Sequence, residues 1–66
     1  MRARPWPNGQ GWDVGETAEV VKVNDGLQVR IITEAGQIMS LFIPDLSLNP
    51  VRAVRRCLKE GKIEEQ

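Results

Sequence analysis

Arg52, Arg55, Arg56 and Lys59 recur at i, i+3, i+4 and i+7, the spacing that gathers side chains on one face of an α-helix. Four cations held together in this way can neutralise phosphates or meet an acidic patch on another chain. The plainer reading is a solvated helix face. Glu60, Glu64 and Glu65 dilute the field, and nine basic residues balance nine acidic ones. Arg52 falls in the first helical turn, where the helix dipole disfavours a cation, and that favours an external anion. The charges also segregate. Residues 1–10 carry Arg2 and Arg4, and residues 11–48 carry Lys22 and Arg30 against Asp13, Glu16, Glu19, Asp25, Glu34 and Asp45. The body is acidic and the helix basic, an asymmetry that bears on partners rather than fold.

A second candidate set is Lys22, Gln28, Arg30 and Ser40 beside Val20, Ile32, Ile38 and Phe42. Basic groups interleaved with an aromatic on a sheet follow the logic of single-strand nucleic-acid platforms. Phe42 is the one phenylalanine of the chain, whereas such platforms usually stack bases on two or three aromatics. Covering of this face by the chain's own N-terminal arm, by barrel closure or by a second subunit is the simpler expectation. Trp6 and Trp12 form the third set, because tryptophan on a stiff segment is enriched at interaction hot spots. The intramolecular alternative has Trp12 capping the sheet.

Catalytic vocabulary is nearly absent. The sequence has no histidine and no tyrosine, so neither Cys57 nor Ser40 nor Ser47 has an imidazole base to activate it. Cys57 on a helix reads as a small core hydrophobe. The carboxylates are scattered through loops and turns, and no glycine-rich phosphate loop is present. One cysteine and no histidine leave no zinc site, and no calcium loop can be read. No catalytic residue, metal or cofactor is expected, and hence no enzyme. The unpaired thiol suits a reducing compartment; with no apolar run long enough for a membrane span, the expected location is the cytoplasm.

The elements that must position these residues follow from punctuation and periodicity. Residues 1–12, with two prolines, two glycines and both tryptophans, read as an arm; residues 13–62 read as one globular domain and 63–66 as a fraying tail. Three Val- and Ile-rich strands are expected at about 17–23, 27–33 and 37–43. The connections Asn24-Asp25-Gly26 and Glu34-Ala35-Gly36 read as three-residue loops closed by a glycine bulge. That register sets Val21 against Val29, Ile31 against Met39 and Leu27 against Ile43. One face then collects Val21, Val23, Leu27, Val29, Ile31, Met39, Leu41 and Ile43. The other takes Val20, Lys22, Gln28, Arg30, Ile32, Ile38, Ser40 and Phe42. Residues 45–48 form a short strand or a single turn. Asn49 as N-cap and Pro50 at the first position start a helix over about 50–60 that Gly61 ends. Val51, Val54 and Leu58 make its buried stripe, with Cys57 and Ala53 at the margin.

The expected fold is therefore a small α+β domain, mostly β, with a three-stranded antiparallel meander and one C-terminal helix. Over about residues 13–48 the meander resembles small SH3-like barrels, which would imply a bent sheet that binds proteins or nucleic acid. The run VGETAEVVKVNDGLQVRI (residues 14–31) is similar to the second half of AbrB/MazE-type swapped-hairpin DNA-binding antitoxins. The first likeness is architectural and the second one of sequence pattern, and neither is taken as membership of a family. Apolar residues on both faces of a chain too short to cover both point to a non-catalytic interaction or assembly module. It would self-associate or dock a protein through the sheet face and the Trp-bearing arm. The alternatives are nucleic-acid binding through the basic helix face with Arg2, Arg4 and Arg30, and an accessory subunit of a larger enzyme.

Overall fold

A computed structural model describes residues 1–64 of the chain. Six strands, β1 (Ala3–Pro5), β2 (Gly11–Val14), β3 (Ala18–Val23), β4 (Gly26–Ile32), β5 (Ile38–Ile43) and β6 (Lys62–Ile63), form one antiparallel sheet in sequence order. Helix α1 (Pro50–Glu60) lies between β5 and β6 in the chain and covers one sheet face. Among the described residues no pairing joins β1 to β6, so the sheet is open. The small, mostly β fold with a C-terminal helix is as expected; the sheet has twice the three strands anticipated. Residues 45–48 form a turn rather than a strand, because Asp45 Oδ1 accepts from both the backbone N–H and the hydroxyl of Ser47 at 3.0 and 2.7 Å.

The N-terminal segment read as an arm is a hairpin. Pro5 faces Trp12 across it, and the Trp6 N–H donates to the Gly11 carbonyl at 2.8 Å. The prolines that argue against a strand are tolerated because β1 is an edge, where a missing donor faces no neighbour. Gly9, at φ +71°, closes the turn. At the other edge, Lys62 and Ile63 pair with Ser40 and Met39, and the Glu64 N–H donates to the Ile38 carbonyl at 2.8 Å. Ile63 and Glu64 are thus held by the sheet instead of fraying; residues 65 and 66 of the expected tail lie outside the described residues.

Between β4 and β5 the register is the expected one, with Leu27 on Ile43, Val29 on Leu41 and Ile31 on Met39. Its loop is the three-residue type: Gly36 sits at φ +80°, and its N–H donates to the Thr33 carbonyl at 2.9 Å. Between β3 and β4 the register differs. Val20 faces Val29 and Val23 faces Gly26, so Asn24 and Asp25 alone turn the chain. Gly26 does not have a positive φ. It is a strand residue whose Cβ would collide with the Ile43 carbonyl oxygen and lie 2.8 Å from Pro44 Cα. A one-residue slip turns every side chain of a strand to the opposite face, and that is its effect on β3. Val20 enters the core, while Val21 and Val23 leave it.

The core lies between this sheet face and α1. Val14, Val20, Leu27, Val29, Ile31 and Ile43 meet Ala53, Val54 and Cys57, with Trp12, Met39, Leu41 and Val51 half-buried around them. Asn49 caps the helix as expected, its side-chain oxygen accepting from Val51 N at 2.9 Å and Arg52 N at 3.4 Å. Gly61 ends α1 in an extended conformation, φ −64°, rather than a left-handed one. Glycine is needed there because a Cβ would fall 2.8 Å from the Cys57 sulfur and 2.9 Å from Met39. Leu58, expected inside, is 55% exposed. At 3.6 residues per turn the buried stripe centres on Ala53, Val54 and Cys57, which leaves Leu58 and Val51 on its flank.

Candidate functional site

Side chains alternate across a strand, so the cross-strand register sorts the face opposite α1 into transverse rows. One row runs Trp6, Gly11, Val21, Gln28, Phe42. The next runs Arg4, Asp13, Glu19, Arg30, Ser40, Lys62, one residue from each of the six strands. Beyond it lie Ile32 and Ile38, directly paired, and beyond the first row lies Val23. The face therefore has an aromatic and aliphatic band, a band of charge, and a second aliphatic patch.

Its apolar groups are open to solvent: Ile32 is 55%, Phe42 46% and Val23 39% exposed. Trp6 is half-buried, its indole resting on Gly11, where a Cβ would come within 3.1 Å of the ring. The Trp6 Nε1–H donates to Asp13 Oδ1 at 3.0 Å, which ties the hairpin turn to the charged row. A shallow hollow of about 240 Å³ opens between Asp13, Glu16 and Glu19 on one side and Arg30, Ile32 and Ile38 on the other.

The charged row is not neutralised within itself. Asp13 and Glu19 are directly opposed, an unfavourable arrangement for like charges on one face. Arg30 is the neighbour of Glu19, yet its guanidinium pairs with Glu64 at 3.1 Å. The Arg30 and Ser40 hydrogen bonds hold the Glu64 carboxyl below the usual carboxylate range. The negative pair on β2 and β3 is thus flanked by cations, Arg4 on β1 and Arg30 on β4.

Of the expected sheet set, Trp6, Gln28, Arg30, Ile32, Ile38 and Phe42 do share this outer face. Trp12 and Lys22 do not. Both lie on the α1 side, where the Lys22 ammonium sits 5.1 Å from the centroid of the Trp12 ring. Lys22 is exposed, so its charge stays wet while it lies over the indole face, a cation–π contact at the core margin. Asp13, Glu19, Val21, Val23, Arg4 and Lys62 belong to the face without having been expected there. Alternation in Trp12-Asp13-Val14 is the signal that places β2, and through it β3, in the observed register.

Arg52, Arg55, Arg56 and Lys59 are all exposed on the outer side of α1, on the far side of the molecule from this sheet face. Arg56 is paired with Glu60 at 2.9 Å across one helical turn. Arg4 and Arg30 sit on the sheet face and cannot join the helix set in one flat contact.

Cys57 is fully buried, and burial pushes its thiol up from the ordinary range, the opposite of an activated nucleophile. Among the described residues no three His, Cys, Asp or Glu side chains converge to hold a metal. No helix of the described residues is long and apolar enough to cross a membrane. Comparison with family models, curated proteins and solved structures finds no match for this chain.

Proposed function

We propose that this chain is a non-catalytic protein-interaction and assembly module that associates with itself through the outer face of its sheet. The observation that carries this reading is the exposed apolar set Ile32, Phe42 and Val23 on a face that α1 does not cover. Single exposed apolar residues are ordinary on a soluble protein, but several gathered on one uncovered face, in two bands with a charged row between them, favour an interaction surface. Trp6, seated on the same face by Gly11 and Asp13, adds the aromatic anchor that hot spots favour. The buried thiol and the lack of disulfides are in keeping with a reducing compartment such as the cytoplasm.

Sedimentation velocity of the purified chain at micromolar to high micromolar concentration tests this reading. A concentration-dependent shift above the monomer value is expected, and Phe42→Glu should abolish it. A strict monomer across that range overturns self-association.

A second reading rests on the helix. Arg52, Arg55 and Lys59 are exposed and form no salt bridge among the described residues, which suits contact with a phosphate backbone. Only the three to four cations of one helix face are available, so the salt dependence of binding would be modest. Absence of a mobility shift with DNA or RNA at low salt removes this reading.

A further inference from the structure

The charged row reads + − − + across β1 to β4, and it ends in a cation on β6. From this we infer that the outer face is self-complementary about a two-fold axis. The axis runs parallel to the strands between β3 and β4, and the occupant of the face is a second copy of this chain. The inference rests on the self-association reading above and specifies its geometry.

Place two copies with outer faces opposed and apply that axis. It exchanges β3 with β4, β2 with β5 and β1 with β6. Glu19 then lies over Arg30 of the second copy, and Arg30 over Glu19 of the second copy, which makes two identical ion pairs at the centre. Asp13 meets Ser40 of the second copy, a hydroxyl that can donate to the carboxylate. Phe42 of the second copy comes down over the Trp6 indole that covers Gly11. The like charges Arg4 and Lys62 meet only at the corners. Opposed sheets cross at roughly 30°, which fans the corners apart and leaves those long cations in solvent.

Neighbouring placements of the axis do worse. Moved onto β3 it sets Glu19 against Glu19; moved onto β4 it sets Arg30 against Arg30. An axis perpendicular to the strands through the charged row opposes every charge to itself. Like charges in apposition cost far more at an interface than they do on a free surface. The arrangement also relieves the Asp13–Glu19 opposition, since each copy brings to the other's carboxylate pair a guanidinium that it holds beside its own Glu64. With strands ~4.8 Å apart the face spans roughly 24 Å, a patch at the small end of specific interfaces. Charge register therefore has more influence here than it would across a large apolar contact.

The test uses two charge-reversal variants, Glu19→Arg and Arg30→Glu, each checked for native circular dichroism. In an isologous dimer each variant alone places like charges at both central positions, and its dimerisation should weaken by about tenfold or more. Mixed in equal amounts, the two variants place opposite charges at both positions, and the dimer should return. The intrachain Glu19–Arg30 neighbours stay mismatched in both partners, so restored folding cannot account for the rescue. If either variant fails to fold, Val21→Cys and Gln28→Cys chains serve instead. With the axis in place a short bismaleimide joins a mixture of the two into a dimer. Wild type that dimerises while the mixture stays monomeric, or while the mixed cysteine chains do not join, overturns the two-fold geometry and leaves self-association standing. Wild type that is monomeric overturns both.

Discussion

Replacement of Gly26 by alanine should destabilise the domain by a steric route that has nothing to do with backbone φ. The added Cβ would meet the Ile43 carbonyl oxygen and lie 2.8 Å from Pro44 Cα and 2.9 Å from the Ile43 carbonyl carbon. Carbon atoms in contact sit ~3.5–4.0 Å apart, so the start of β4 and the end of β5 must separate by about 0.7 Å or more. These are backbone atoms, and no rotamer change can relieve them. Overpacking of this kind costs about 1–3 kcal/mol. Loss of a backbone hydrogen bond near the Leu27–Ile43 pair adds about 1 kcal/mol, and the lower entropy of the unfolded alanine chain offsets ~0.4–1 kcal/mol of the total. The net is a loss of roughly 2–3 kcal/mol. A domain of this size has only about 3–10 kcal/mol in total, so urea denaturation would show the change directly. Gly36→Ala is the contrasting case. Its φ of +80° strains an L side chain, but nothing lies within 4 Å of the new Cβ. Alanine there should cost about 1–2 kcal/mol, and a D-alanine introduced by chemical synthesis should recover that loss. Gly26→Ala within about 0.5 kcal/mol of wild type would refute the reasoning, because it would mean that the β4–β5 end is free to move.

Asn49→Ala should cost about 1 kcal/mol, read as a lower urea midpoint at unchanged m, because the Asn49 side chain accepts from two backbone donors of the first turn. Cys57 should resist alkylation in the native state and react only through opening, so its labelling rate should follow stability across urea concentrations. Its folded-state pKa is raised by burial; the associated stability is therefore present below the ordinary thiol pKa and lost as pH rises above it. Thermal scans of Cys57→Ala should lack that alkaline loss. Asp45 and Glu64 behave in the opposite sense: hydrogen bonds from Ser47 lower the first, and those from Arg30 and Ser40 lower the second. Their contributions are present above the ordinary carboxylate range and fade as pH falls below about 4. Both groups are exposed, so the decline should be slight; in Ser47→Ala it should be shallower still, and a decline unchanged by that substitution counts against the assignment.

Helix α1 was legible almost to the residue: Asn49-Pro50 start it through local backbone chemistry, while Gly61 ends it where Cys57 and Met39 leave no room for a side chain. The Thr33–Gln37 loop was legible for the same reason: a glycine that needs positive φ announces itself. Gly26 carries an identical letter for a different cause, the closeness of Ile43 and Pro44, which are distant in sequence. Reading it as a turn residue moves β3 by one position. The choice of register by counting apolar residues per face then went astray, since it placed Lys22 outside and Val21 inside. In the fold Lys22 lies on the core side, at its margin, with its ammonium over the Trp12 ring. That partner sits in a segment whose prolines and glycines hid its strands. The edge strands β1 and β6 escaped notice because each is short and owes its place to pairing with a longer neighbour.

The same slip in β3 decides what kind of surface the outer face is. With Val20 and Lys22 outside, as the apolar count suggested, the face would carry a central lysine and an aliphatic surround, an adequate platform for an anionic strand. With Glu19, Val21 and Val23 outside, the centre is a carboxylate beside a guanidinium, and Asp13 reinforces the negative half. A polyanion gains little from such a centre, because Glu19 and Asp13 oppose what Arg30 attracts. A face meant only for water would have no use for exposed Phe42 and Ile32. One meant for permanent burial would not set Asp13 directly against Glu19, since an unpaired buried charge is too costly to keep. Apolar bands on either side of a charge row whose two central charges, opposite in sign, face each other between copies fit reversible contact with a surface of the same design.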